Sequence, residues 1–157
     1  MQSRSPVSQE ASASDGRGEL MVQSRRTVPC EPGDGRGRMR TARAYLEVAD
    51  LVLGERDRDE YVNVAAGLSV LAGIAASDAI CCARLRMRHR GDNHRDAAEM
   101  LRLATPDGSA LARQLLRLLD LKDEAHYGVM VVASRRARDA LRWATRLVER
   151  AEEEIEA

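Results

Sequence analysis

Apolar residues are scarce up to about residue 40 and then recur at helical spacing to the end of the chain. The pattern predicts a first helix from Arg40 or Thr41 to Leu53, with Ala44, Leu46, Val48, Ala49, Leu51 and Val52 as its apolar positions and Gly54 as its stop. A second, long helix is expected from Asp57 or Asp59 to Met87. Acidic residues favour its start, and Arg84, Arg86 and Arg88 favour its end. Its middle is apolar on most faces, and Val62–Ser77 is free of charge. A helix apolar nearly all round must be surrounded by others, so this one is read as the centre of a bundle. The stretch is too weak for a membrane span.

Gly91 is read as ending the long helix, with Asp92 or Asn93 capping a short third helix, His94–Leu103, that turns Ala97, Ala98 and Leu101 inward. Thr105-Pro-Asp-Gly108 breaks the chain before a fourth helix, Ser109–Tyr127, whose apolar side includes Leu111, Leu115, Leu118 and Leu119. Ser134 is expected to cap the fifth, where Ala137, Leu141, Ala144, Val148, Ala151 and Ile155 follow a heptad seam. The fold class is therefore all-α: an antiparallel bundle of about five helices over residues 41–156. Residues 1–40, rich in Ser, Gly, Pro and Arg, are read as a disordered arginine-bearing tail.

Composition narrows the function. Lys plus Arg and Asp plus Glu number 25 each, so any polyanion contact must be a local basic patch. Aromatics make up 3% with no Phe, which removes the stacking platforms of single-strand binders. The three cysteines suit no zinc spacing: Cys30 falls in the tail, and Cys81 and Cys82 are helical neighbours pointing about 100° apart. They are read as thiols of a reducing, cytoplasmic compartment, and the sequence calls for no metal and no cofactor.

Three places could carry chemistry. His89 and His94 each follow an arginine, Arg84 at x4 and Arg88 at x5. An imidazole to move protons and a guanidinium to hold a phosphorane would suffice for metal-free RNA cleavage. Lys122, the single lysine, shares a helix face with His126, and Asp123 is paired in the same way with Tyr127. Asp78 is a carboxylate in the apolar middle of the central helix. It needs a partner, and it either anchors an ion pair with an Arg of a neighbouring helix or lines one cleft with Lys122 and Tyr127.

The segments Ala72-Gly-Ile-Ala-Ala-Ser-Asp-Ala-Ile80, Arg90-Gly-Asp-Asn-His94 and Leu121-Lys-Asp-Glu-Ala-His-Tyr127 resemble, in order and spacing, small stand-alone actinobacterial members of the HEPN superfamily. The resemblance covers about residues 41–156. It implies a helical bundle that dimerises and belongs to a toxin–antitoxin, defence or stress system, with RNA or a nucleotidyltransferase-type protein as partner. The family's ribonuclease motif is Arg-x4–6-His. Lys122 stands in place of its Arg, Asp123 fits the polar position after it, and Tyr127 replaces its His, with His126 one residue early.

The chain is thus read as a non-catalytic or weakly active binding module whose cleft is lined by Asp78, Lys122, His126 and Tyr127, with Arg84, Arg88, His94 and Asp123 as further binding residues. One alternative is an endoribonuclease using Lys122 and His126, or Arg84/Arg88 with His89/His94. Another is a structural adaptor whose seam from Ala137 to Ile155 binds a partner helix.

Overall fold

The computed structural model describes residues 26–55, 58–127 and 132–157. Its elements are β1 (Thr27–Pro29), α1 (Asp34–Glu55), α2 (Asp59–Leu85), β2 (Met87–His89), α3 (Arg95–Ala104), α4 (Gly108–Tyr127) and α5 (Ser134–Glu156). Among the described residues, five helices and one small two-stranded sheet make this an all-α bundle, as the periodicity predicts.

The bundle is organised around α2. From Val62 to Cys82 most of its residues are buried, and α1, α3, α4 and α5 all pack on it. Its length and hydropathy alone would let it cross a membrane, yet most of that apolar surface is covered by the other helices. Small residues set the packing distance. At Gly73 an added Cβ would lie 2.4 Å from Leu118 Cδ1. Asn63, which interrupts the apolar stretch, has a structural use: its Oδ1 accepts a hydrogen bond from the Val132 N–H at 2.9 Å. The returning chain is thereby tied to the start of α2.

On α5, Ala137, Ala140, Ala144, Leu147, Val148 and Ala151 are buried against the rest of the bundle. Four of the six positions in the seam read as a docking face are covered by the chain's own core, and Leu141 and Ile155 are half-buried. The expected caps also differ. Ala133, not Ser134, holds the N-cap position of α5, and His94 holds that of α3 with no side-chain cap bond from Asp92 or Asn93 there.

The largest departure is at the amino-terminal side. Residues 26–40, read as part of a disordered tail, contain β1 and the first two turns of α1. β1 pairs antiparallel with β2, matching Thr27 to His89, Val28 to Arg88 and Pro29 to Met87. The chain reaches β2 because α2 ends earlier than the pattern suggests. Arg86 takes a left-handed conformation (φ 58°) that turns the backbone out of the helix. Of the glycines at the start of α1, Gly33 and Gly37 meet nothing within 4 Å, whereas Gly35 marks a close approach. A Cβ on Gly35 would sit 2.9 Å from Ile155 Cδ1 and 3.4 Å from Cys82 Cβ, so a glycine lets α1 begin against α2 and α5.

Cys30, brought beside α2 by this pairing, is disulfide-bonded to Cys82 across 52 residues of sequence, while Cys81 is a free, buried thiol. The expectation of three free thiols is corrected accordingly. Closing a loop of that size is worth about 4 kcal/mol on a chain-entropy account.

Two glycines separate packing from propensity. At Gly108 a Cβ would lie 2.3 Å from the Leu101 carbonyl oxygen and 2.7 Å from that of Arg102, both main chain at the end of α3. Gly108→Ala is expected to lower stability by about 1–3 kcal/mol. Gly67, in the middle of α2, meets nothing within 4 Å, and Gly67→Ala is expected to raise stability by up to about 1 kcal/mol. Urea unfolding followed by circular dichroism measures both.

Candidate functional site

Asp78 lies at the bottom of a cavity of about 240 Å³ where α1, α2, β2 and the turn into α3 meet. Its carboxylate is almost fully buried, and one oxygen, Oδ2, accepts from Arg38 Nη2 at 2.7 Å and Nε at 3.0 Å. Both N–H groups thus converge on a single oxygen, not on the two a side-by-side guanidinium–carboxylate pair would use. Burial pushes the Asp78 carboxyl above the usual carboxylate range, and the charges of Arg38 and Arg88 oppose the shift without cancelling it. Arg38 is half-exposed at the cavity mouth, so the pair straddles the boundary between core and solvent.

β2 forms another wall. Side chains alternate along a strand, and here Arg88 and His89 both line the cavity, followed by Arg90 and Gly91 in the turn. Gly91 adopts φ 123°, a conformation that favours glycine, and the turn it makes delivers His94 to the opposite side. Arg38, Arg88, Arg90 and two histidines therefore line one cavity with Asp78, and the charges of Arg38, Arg88 and His94 act on its carboxylate.

His89 is 7% exposed, and neither ring nitrogen has a hydrogen-bond partner among the described residues. Its ring stands edge-on to His94, with centroids 6.3 Å apart. It also lines a second groove, of about 420 Å³, beside Arg26, Asp96, Met100 and Leu103. A buried imidazole with both nitrogens unpaired is costly, and a ligand oxygen in the cavity would give it an acceptor.

His94 is half-buried. Burial first, and then the charge of Lys122, hold its pKa below the usual histidine value, with His89 adding to the shift and Asp78 and Asp92 opposing it. Near neutral pH its imidazole is uncharged, which leaves a nitrogen free to accept a proton or a hydrogen bond.

The structure gathers some of the expected residues and separates others. Asp78, Arg88 and His94 line one cavity, and Lys122 is near enough for its charge to act on His94. Arg84 is elsewhere: its Nε pairs with Glu154 of α5 at 3.0 Å, stapling α2 to the last helix. Arg84 and His89 therefore do not form the active pair that their spacing suggests, whereas Arg88 and His94 do share a cavity. Asp123 is exposed and pairs at 3.2 Å with Arg95, which also binds Asp120 at 2.7 Å, so it belongs to a surface network joining α3 and α4. The backbone of His126 and Tyr127 completes α4, but their side chains fall outside the described residues. Asp78 makes the ion pair, with Arg38 of α1, while a cleft shared with Tyr127 lies outside the described side chains.

Two cavity arginines escape a reading of the sequence. Arg38 falls in the segment read as tail, although a buried Asp78 demands such a partner. Arg90 opens the turn segment Arg90-Gly-Asp-Asn-His94 but is not singled out there as a binding residue. Among the described residues no three His, Cys, Asp or Glu side chains group as a metal site.

The pH dependence has two opposed parts. The raised Asp78 pKa means the folded chain binds that proton more tightly than the unfolded one. Its contribution to stability is present at low pH and is lost as pH rises from about 3.8 through the raised value. The lowered His94 pKa acts in the opposite sense, costing stability as pH falls from about 6.5 through its folded value. In an NMR titration the His94 ring is expected to titrate below 6.5, and to move upward when inorganic phosphate occupies the cavity. Asp78→Asn should remove that carboxyl's share of the acid-side stability change and strengthen phosphate binding, because it removes the carboxylate that lines the cavity. Weaker binding in that variant would show that Asp78 holds Arg38 in the working position.

No protein-family model matches the chain, and no curated protein matches it either.

Proposed function

We propose that the protein is an RNA-binding module of the HEPN kind, non-catalytic or weakly catalytic, that holds a phosphodiester in the cavity around Asp78. The observation that carries this reading is the convergence of Arg38, Arg88 and Arg90 on a pocket that also contains the unpartnered His89. Guanidinium groups donate in planar pairs suited to phosphate oxygens, and in a half-buried site they are screened less than on an open surface. With no excess positive charge on the chain as a whole, attraction to RNA is concentrated here. Few aromatics are available for base stacking, so contact falls mainly on the backbone. The toxin–antitoxin, defence or stress setting and a nucleotidyltransferase-type partner belong to the same proposal and rest on the sequence resemblance.

A second reading is favoured by one observation. His94 is biased toward its neutral form and shares the cavity with Arg88. Such an imidazole could take the proton of a 2′-hydroxyl while Arg88 holds the phosphorane charge, giving metal-independent cleavage.

Fluorescence anisotropy with labelled single-stranded RNA, in EDTA and at two salt concentrations, tests both readings. Arg88→Ala is expected to weaken binding and to reduce the slope of log affinity against log salt by about one. His94→Ala should leave the RNA uncut, like wild type. Cleavage by wild type that is lost in His94→Ala at unchanged helicity would replace the binding module with a nuclease. Absence of any RNA binding would overturn both.

We take the chain to act as a homodimer. Val48 and Leu51 of α1 and Val64 and Leu71 of α2 are exposed apolar residues, with Leu51 at 63%. Exposed apolar side chains on two adjacent helices are the kind of surface a second copy covers. Sedimentation is expected to show a dimer for wild type and a monomer for Leu51→Glu combined with Leu71→Glu. A wild-type chain that stays monomeric at high concentration would remove the dimer from the proposal.

A further inference from the structure

The disulfide joins two elements that adjoin the cavity-lining residues along the chain and the sheet. Cys82 lies one helical turn beyond Asp78 on α2, and Cys30 follows β1, whose partner strand carries Arg88 and His89. Gly35, which packs against Cys82, begins the turn of α1 that leads to Arg38. The same bond therefore ties the helix that carries Asp78 to the strand that backs β2.

Among the described residues the non-covalent ties on β1 are few. The strand has three residues, and beyond its own ladder the flanking contacts are Cys30 N–H to the Arg86 carbonyl at 2.9 Å, Arg90 N–H to the Arg26 carbonyl at 2.7 Å and an exposed ion pair of Arg26 with Asp96 of α3 at 3.0 Å. A two-stranded pair of that length is not stable by itself. Cys30 is half-buried at the edge of the fold, whereas Cys82 is 4% exposed, so an incoming thiolate has access to the Cys30 sulfur first.

We infer that Cys30–Cys82 is a thiol-exchange site for a small thiol or dithiol reductant, and that its reduction releases β1 from β2 and loosens the cavity wall built on Arg88 and His89. A thiolate attacks Cys30 Sγ, a mixed disulfide forms there, and Cys82 leaves as a thiolate and takes a proton. A second thiolate then attacks the reductant's sulfur and frees Cys30, which is protonated in turn. The protein gains two electrons and two protons, and the reductant is oxidised to its own disulfide. Cys81 stays out of the exchange. Burial, with the charge of Asp78, pushes its thiol up to about 12, and a protonated thiol is not a nucleophile. Only the effect on ligand binding rests on the RNA reading above.

The test uses the full chain, oxidised or treated with dithiothreitol, together with Cys30→Ser. Iodoacetamide labelling under denaturing conditions should find Cys81 alone before reduction, and Cys30 and Cys82 as well after it. Amide exchange at Cys30 and Arg90 is expected to rise about tenfold or more on reduction, while the buried amides of α5 stay protected. Cys30→Ser should show the raised exchange without reductant and no further response to it. RNA affinity should fall in parallel. Labelling of all three thiols in the oxidised sample, unchanged exchange at Cys30 and Arg90, or loss of protection throughout α5 would each overturn the latch. If exchange responds as expected but neither form binds RNA, the latch stands and the RNA reading falls.

Discussion

The burial of α2 is the constraint on which the rest depends. A helix apolar over most of its circumference is stable in water only when other helices cover it, and its Ala and Gly positions let them come close. Each neighbour commits one apolar stripe to that cover. Ala97, Ala98 and Leu101 do so from α3, Leu115 and Leu118 from α4, and the Ala-rich seam from α5. The same requirement explains why an isolated carboxylate on α2 becomes an organising point. Asp78 cannot turn toward water, so cations must come to it, and Arg38 does so from a helix whose first turns are rich in glycine.

The site is assembled at the one end of α2 where the helical order stops. Arg86 leaves the helix in a left-handed conformation, β2 follows, and Gly91 turns the chain into α3. Irregular backbone here presents Arg88, His89, Arg90 and His94 within a few residues of one another, which a continuous helix would scatter around its axis. The pairing of β1 with β2 and the disulfide back this segment from outside. Polar groups are thus held on a short and weakly hydrogen-bonded platform, in contrast to the closely packed core beneath it.

The separation of Arg84 from Arg88 illustrates how spacing alone misleads. Both precede a histidine at a distance compatible with a ribonuclease motif. Arg84 is still on α2, where its helical position points it to Glu154 of α5, whereas Arg88 lies beyond the break and faces the cavity. Asp123 is similarly legible as a polar residue beside Lys122, but its side chain meets Arg95 on the surface. Motif spacing carries no information about where a helix ends, and the end of α2 decides which arginine shares a pocket with His94.

By itself the sequence determined the helical class, the core position of α2 and most inward residues, because a 3.6-residue period of Leu, Ala and Val is a local signal that burial then obeys. It also determined that Asp78 needed a cationic partner, since an unpaired buried carboxylate is too costly to persist. The tertiary structure decided which arginine answers that need, that residues 26–40 belong to the fold, and that Cys30 meets Cys82. Those outcomes depend on contacts spanning 40 to 62 positions, and at such separations no periodicity links one residue to another. Only the way the helices pack brings them together.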